Sequence, residues 1–397
     1  MNKSQQISTK CVILLFAILF SFSCSKNKNS GELKTIHILE AEKWELTISE
    51  IAESIEYLPL AGDSVLATIM KVVHANGEYF VKDNKSKFLR FDKNGNLKNQ
   101  IGRRGKGPGE YRYVSNFVVH PDGNVYISGG KEGKIMVFSP EGKFLRTFDI
   151  SQKYVSSFEV LNDNFLLYFG PGAEHIPENM EIVDTNGTIL KTFKNQFKFE
   201  RGRAILSFTG ECIMYPLQGK LHFKEIFSDT LFYFDEEERI PKIILNSGDN
   251  RFSPKARTKA IKDLSADPRS PSNAMIESVI QHYLFESSRY LFYSYGFNRE
   301  GHILVLDKKS GQQIEIDKEV GIRNDLDGGP NITLKMTKDD NTVFAWVDAF
   351  ELKAHVASET FKNSTPKYPE KKKELEQLAN SLDENDNPVL MLVKLKE

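Results

Sequence analysis

Cysteine is scarce: only Cys11, Cys24 and Cys212 occur in 397 residues. That is too few for a disulfide framework, so the fold must be held by its core. Neither sign of charge prevails, with 53 Lys and Arg against 54 Asp and Glu. Such a near-neutral chain argues against a nucleic-acid partner. A membrane-length apolar run is missing as well. The stretch Cys11 to Phe22, broken only by Ser21, falls short of the about 20 residues that a spanning helix needs. There is no HExxH pair, no CxxC and no GxSxG, so zinc-protease, thiol-redox and nucleophile-elbow chemistry lack support. What is present, 40% hydrophobic and 27% charged residues, is ordinary for a globular protein.

The first residues read as an export signal. Lys3 and Lys10 give a basic start to the short apolar core, and Ser21-Phe22-Ser23-Cys24 ends it with small residues before a cysteine. This ending resembles the lipobox of bacterial lipoproteins, whose cysteine carries a diacylglycerol and palmitate-type acyl chains. Ser21 stands where the usual Leu would be. The plainer alternative is a secretory signal with an incidental cysteine. The expected organisation is a signal peptide over 1–23, a lipid-bearing Cys24, a tether and N-terminal segment over 24–54, and a body over 55–397. Removing 1–23 leaves 374 residues with 51 basic and 54 acidic side chains. The polar tether Ser25-Lys26-Asn27-Lys28-Asn29 is basic, and its first acid is Glu32. Surface-exported lipoproteins resemble one another in acids next to the cysteine, so the expected location is the cell envelope, lipid-anchored to the outer membrane and facing the periplasm.

The body repeats. Val72-Val73-His74-Ala75-Asn76-Gly77-Glu78-Tyr79-Phe80 is echoed by Val118-Val119-His120-Pro121-Asp122-Gly123-Asn124-Val125-Tyr126. A second phrase ends in Asp92-Lys93-Asn94-Gly95, Ser139-Pro140-Glu141-Gly142 and Asp184-Thr185-Asn186-Gly187. Aligning Phe91, Phe138, Val183, Phe234 and Leu306 gives intervals of 47, 45, 51 and 72 residues. Alternating apolar positions mark half-buried strands, and Asn-Gly or Asp-Gly marks tight hairpins. Two hairpins per period near 45 are the signature of a propeller blade. The expected fold is therefore an all-β, six-bladed β-propeller. Five blades lie near 69–102, 114–150, 155–194, 204–246 and 278–318. The sixth is composite, taking strands from 330–348, Pro388–Leu395 and Ile55–Leu60, so that both chain ends close the ring. A helical insertion is expected at about 253–264, where Ser253-Pro254 gives a cap and a first-turn proline. A C-terminal helix is expected at about 369–382, packed against the outside of the ring.

Five segments carry a family resemblance: Ile55–Leu60, the loop Ile101-Gly102-Arg103-Arg104-Gly105-Lys106-Gly107-Pro108-Gly109-Glu110-Tyr111, Ser228–Phe232, Glu286–Leu291, and Asp386-Asn387-Pro388-Val389-Leu390. Together they resemble the six-bladed β-propeller lipoproteins of NHL-like type in the bacterial cell envelope. The resemblance implies the fold and the envelope location. It implies no reaction and supplies no catalytic residues.

The glycine-rich loop is the most distinctive polar feature. It is no P-loop, because Pro108 stands where Lys is required, and no dinucleotide fingerprint, because Glu110 replaces the last glycine. Arg103, Arg104 and Lys106, with Glu110 and Tyr111, make it a candidate anion- or ligand-binding loop, presenting guanidinium forks and backbone N–H groups. The alternative is a tight interblade link with solvated bases. His74 and His120 match between blades, which would allow an axial metal, but both precede turns and read better as packing residues. Asp325-Leu326-Asp327-Gly328-Gly329 lacks the carboxylate spacing of an EF-hand and reads as a turn. No catalytic residue, metal or cofactor is assigned. The expected function is a non-catalytic scaffold, attached to the membrane through Cys24, that binds an envelope protein or a small ligand. The rival is a metal-dependent hydrolase or lyase, lactonase-like, with its site in the axial channel. A cluster of Asp, Glu, Asn or His lining that channel would favour the rival, whereas a channel plugged by apolar side chains, with polar or aromatic residues on one rim, would favour the scaffold.

Overall fold

The computed structural model describes residues 33–397 except 130–132, 153, 171–176, 201 and 270–271. The signal, Cys24 and the residues to Glu32 lie outside the described residues. Among the described residues, no helix is long and apolar enough to cross a membrane.

Six antiparallel sheets form a six-bladed β-propeller. The first blade comprises Ile69–Ala75, Glu78–Asp83, Phe88–Phe91 and Leu97–Gln100. The second runs from Asn116–Val119 to Phe144–Asp149, and the third from Ser157–Leu161 to Ile189–Lys194. The fourth runs from Cys212–Leu217 to Glu238–Asn246, and the fifth from Ile280–Glu286 to Gln313–Asp317. The first strand of each blade approaches that of the next, so these six strands surround the axis. The hairpin opening the first blade has Asn76 at φ +53° and Gly77 at φ +74°. Both central residues are left-handed, as a tight two-residue turn requires.

Apolar side chains of neighbouring blades interdigitate. Phe88 and Phe117 have ring centroids 4.2 Å apart between the first two blades, and Tyr126 and Phe165 4.6 Å apart between the next two. The second repeated phrase also works between blades. Gly142, at φ +84°, lies so close to the previous blade that a Cβ would run into the Gln100 carbonyl. Gly95 meets the Pro59 carbonyl in the same way. Cations then reach forward to the next blade's outer turn: Arg90 to the Pro140 carbonyl at 2.9 Å, Arg146 to that of Thr185 at 2.7 Å, and Lys191 to that of Glu237 at 2.9 Å.

The sixth blade has the order Met336–Thr337, Thr342–Val347, Val389–Leu395, Ala52–Pro59. Its last two strands pair antiparallel, with Leu390 opposite Leu58 and Val393 opposite Ile55. Residues before 52 do more than lead in. Lys34–His37 adds a parallel fifth strand to the fourth blade, and Glu42–Lys43 adds one to the fifth. This strap covers two outer edges whose N–H and C=O groups would otherwise be open.

The insertion helix spans Pro254–Ala266, and the Ser253 hydroxyl caps it by accepting from the Ala256 N–H at 3.1 Å. The C-terminal helix spans Pro369–Ser381 and buries Leu375 and Ala379. Two helices not read from the sequence, Ala349–Ala357 and Glu359–Asn363, join it between strands of the sixth blade. All three pack into one core with Ile322, Leu326 and Ile332 of the loop entering that blade.

Candidate functional site in the axial channel

The six inner strands enclose a channel of about 710 Å³. Its wall has two characters. On the side of the first three blades, the Lys71 ammonium donates to Asn116 Oδ1 at 3.0 Å and to the Phe117 carbonyl at 2.8 Å, and stands 3.5 Å from Glu159 Oε2. Asn116 Nδ2 donates onward to the Phe158 carbonyl at 3.2 Å. Each of these side chains comes from a different inner strand, so the chain of contacts ties three blades together at the axis. The opposite wall carries Met214, Tyr283 and Met336, with His282 and Lys335 beside them. Partial desolvation against the blade holds the imidazole of solvent-exposed His282 below its usual range, and nearby Lys318 adds to the effect. The Lys335 ammonium is lowered for the same two reasons in the same order.

Among the described residues, no three His, Cys, Asp or Glu side chains come together as a metal would require. His74 lines the channel, where burial and Lys338 lower its pKa. His120 is buried instead. Its Nδ1 accepts from the Asp122 N–H at 3.2 Å, and its Nε2 faces the Asp163 carbonyl at 3.1 Å in the next blade. The matched histidines therefore do not converge. Asp325 and Asp327 also serve the fold: Asp325 accepts from the Ser49 hydroxyl at 2.6 Å, and Asp327 from Asn324 Nδ2 at 2.7 Å and the Gly329 N–H at 2.8 Å.

The glycine-rich loop is not part of the channel wall. It crosses from the first blade onto the outer hairpin of the second, where the Gly102 N–H donates to the Gly142 carbonyl at 3.2 Å and Gly109 packs against Phe144. Its own Glu110 accepts from the Gly107 N–H at 2.8 Å and from Arg103 Nε at 2.6 Å. Those contacts hold the carboxyl below its usual range. A Cβ at Gly105 would collide with that same carboxylate. Tyr111 is fully buried and donates to the Ile101 carbonyl at 2.9 Å. Arg104 and Lys106 are exposed, and Arg104 borders a separate hollow of about 370 Å³ with Asp83 and Gln100.

Other segments with the family resemblance are structural. Glu286, fully buried between the fourth and fifth blades, accepts from the Tyr215 hydroxyl at 2.7 Å, Lys242 at 2.8 Å and Lys308 at 2.7 Å. Asn387 Oδ1 accepts from the Leu66 N–H at 2.6 Å, and its Nδ2 donates to the Ser64 carbonyl at 3.1 Å, pinning the strand that closes the ring to the entry of the first blade.

Solved structures with the same architecture exist. An exported protein of Bacteroides fragilis aligns with TM-score 0.67 and 19% identity over 90% of this chain and 99% of that one. A member of the duf4221 family from Bacteroides vulgatus aligns with TM-score 0.50 and 11% identity over 87% of this chain and 97% of that one. At these identities the likeness shows the fold. No curated protein matches the chain by sequence. Residues 33–394 match the family described as Domain of unknown function (DUF4934), and the chain belongs to that family.

Proposed function

We propose that the protein is an envelope-anchored, non-catalytic scaffold whose axial channel takes a small ligand. The observation that carries this reading is the two-sided wall of a channel of about 710 Å³. Volumes of roughly 300–1,000 Å³ with an apolar lining and a few convergent polar groups suit small-molecule binding. Lys71, Asn116 and Glu159 would orient the ligand, while Met214, Tyr283 and Met336 would cover its apolar part. Channel-blocking substitution tests this. Native mass spectrometry of protein released gently from its own membranes should reveal a bound small molecule. The Met214→Trp variant should fold with an unchanged melting curve and lose it. The same adduct on both proteins would overturn the channel as the site.

The anchor is a separate part of the proposal, supported by the sequence around Cys24. Replacing Cys24 by Ser should move the protein from the membrane pellet to the soluble fraction; a variant that still sediments would refute lipid attachment. Orientation is read with protease added to intact cells. A periplasmic propeller survives until the outer membrane is broken, whereas prompt digestion would place it on the surface.

A further inference from the structure

His282 and Lys335 line one side of the channel beside Lys338, Asp339 and Asp340, of which Asp339 is taken up by Lys338 at 3.1 Å. His282 lies on the inner strand of the fifth blade, Lys318 just beyond that blade's outer strand, and Lys335 just before the inner strand of the sixth. Two strands lie between that of His282 and the one preceding Lys318 in the sheet order, yet the lysine's charge reaches the imidazole. Two glycines make this feasible. Gly296 and Gly301 face each other in register on the middle strands. A Cβ at Gly296 would lie 3.3 Å from His282 Cε1 and Nε2, and one at Gly301 would lie 2.7 Å from Lys318 Cδ. The imidazole and the lysine stem thus lie flat over bare backbone, and Lys318 is the charge felt by both His282 and Lys335. A side chain at either glycine would lift this arrangement off the blade.

The three groups differ from Lys71 across the channel, which is matched by three acceptors including Glu159. Among the described residues, none of His282, Lys318 and Lys335 has an ion-pair partner. Asp317 and Glu319, the chain neighbours of Lys318, are exposed. Holding half-buried ammonium groups near each other costs free energy unless a counter-charge arrives from outside. Lys335 also stands 6.0 Å from the Trp346 ring, whose face further stabilises a cation there.

We propose that the channel selects anionic ligands, seating a carboxylate or phosphate group between His282 and Lys335 of its wall, with the charge of Lys318 behind them, and laying an apolar body along Met214, Tyr283 and Met336. The proposal rests on the reading of the channel as the ligand site. Its chemistry is charge-assisted hydrogen bonding to an oxyanion beside an adaptable, methionine-containing wall.

Calorimetric titration of the full mature chain with four probes sharing one apolar body tests it: phenylbutyrate, phenylbutyl phosphate, phenylbutanol and phenylbutylamine. The two anions should bind at least tenfold more tightly than the alcohol, and the amine least. Their relative affinities distinguish carboxylate from phosphate as the preferred group. The Lys318→Gln/Lys335→Gln double variant should weaken the anions at least tenfold and leave the alcohol unchanged, while Lys335→Arg should retain anion binding. Equal affinity for acid and alcohol, or a double variant that binds anions as before, would overturn the proposal. So would loss of anion binding in Arg103→Gln/Arg104→Gln/Lys106→Gln, which would move the site to the glycine-rich loop. Met214→Trp separates the two levels. If it abolishes all four probes while charge makes no difference, the channel reading stands and anion selection falls. If it abolishes none, both fall.

Discussion

The Lys71 ammonium lies 3.5 Å from the Glu159 carboxylate although the two residues belong to the first and third blades. Asn116 of the second blade accepts from the same ammonium and donates to the Phe158 carbonyl of the third. Polar contacts therefore link three neighbouring inner strands along one side of the channel. Both charges keep some solvent access, with side-chain exposures of 25% and 19%, so their direct coupling should be modest. A double-mutant cycle of Lys71→Met and Glu159→Gln should give a coupling of about 0.5–1 kcal/mol that shrinks at high salt. Lys71→Met should cost more than Glu159→Gln, because it also strips a donor from the Phe117 carbonyl. Urea unfolding at low and high ionic strength reads both effects; a Glu159→Gln cost equal to or larger than that of Lys71→Met would contradict this account.

Two turn glycines should respond differently to the same substitution. Gly142 and Gly123 have nearly equal φ values, +84° and +88°, but a Cβ at Gly142 would strike the Gln100 carbonyl while one at Gly123 meets nothing within 4 Å. Gly123→Ala should cost only the left-handed strain, about 1 kcal/mol. Gly142→Ala adds a clash with backbone and should cost about 2 kcal/mol more. Chemical denaturation of the two variants checks the difference. Equal costs would mean that the interblade contact at Gly142 yields freely.

These glycines also show why the blades were legible and the site was not. Asp-x-Asn-Gly and Ser-Pro-Glu-Gly sit where a left-handed residue and a close backbone approach are both needed, so the motif recurs wherever that contact recurs. The channel has no such local signature. Lys71, Asn116, Glu159 and His282 each come from a different inner strand and Lys335 just precedes another, and only closure of the ring brings them together. The glycine-rich loop stood out as a string, yet its tight turns serve contacts with Glu110 and the second blade. The strap strands Lys34–His37 and Glu42–Lys43 are too short to show an alternation, and they owe their pairing to the blade edges that receive them. Helix Ala349–Ala357 was missed because its neighbours in sequence are strand-like and its buried positions, Ala349, Leu352 and Val356, span barely two turns.

Closure of the ring should be cooperative with the whole fold. The strand Val389–Leu395 is the link between Thr342–Val347 and Ala52–Pro59, and most of its side chains are buried. Deleting Asn387–Glu397 would leave two unpaired edges and remove the Asn387 contacts to Ser64 and Leu66. The shortened chain should aggregate or lose its single sharp transition in calorimetry. An unchanged transition would show that the sixth blade is dispensable.

A buried carboxylate should make stability depend on pH in a recognisable direction. Burial pushes Glu225 up to about 7, against which Arg239, Asn179 and Lys224 act only partly. Asn179 Nδ2 donates to it at 2.6 Å, a contact that a glutamine can keep. In the unfolded chain the group titrates near 4.3. Below that pH both states hold the proton and the contribution to stability is fully present. As pH rises towards 7 the unfolded chain releases its proton first, so this contribution is lost across that window, by about 4 kcal/mol at most. Glu225→Gln removes the effect without removing the contact. Relative to the native sequence, the variant should therefore gain about 3 kcal/mol between about pH 4 and about pH 8, read from guanidinium unfolding at both. Lys224, lowered to about 8 by burial, titrates in both proteins and cancels to first order in the comparison. A stability difference between variant and native protein that stays constant across the window would show that Glu225 ionises as an ordinary surface carboxylate, and that the interior beside Cys212 and Tyr168 is wetter than its packing implies.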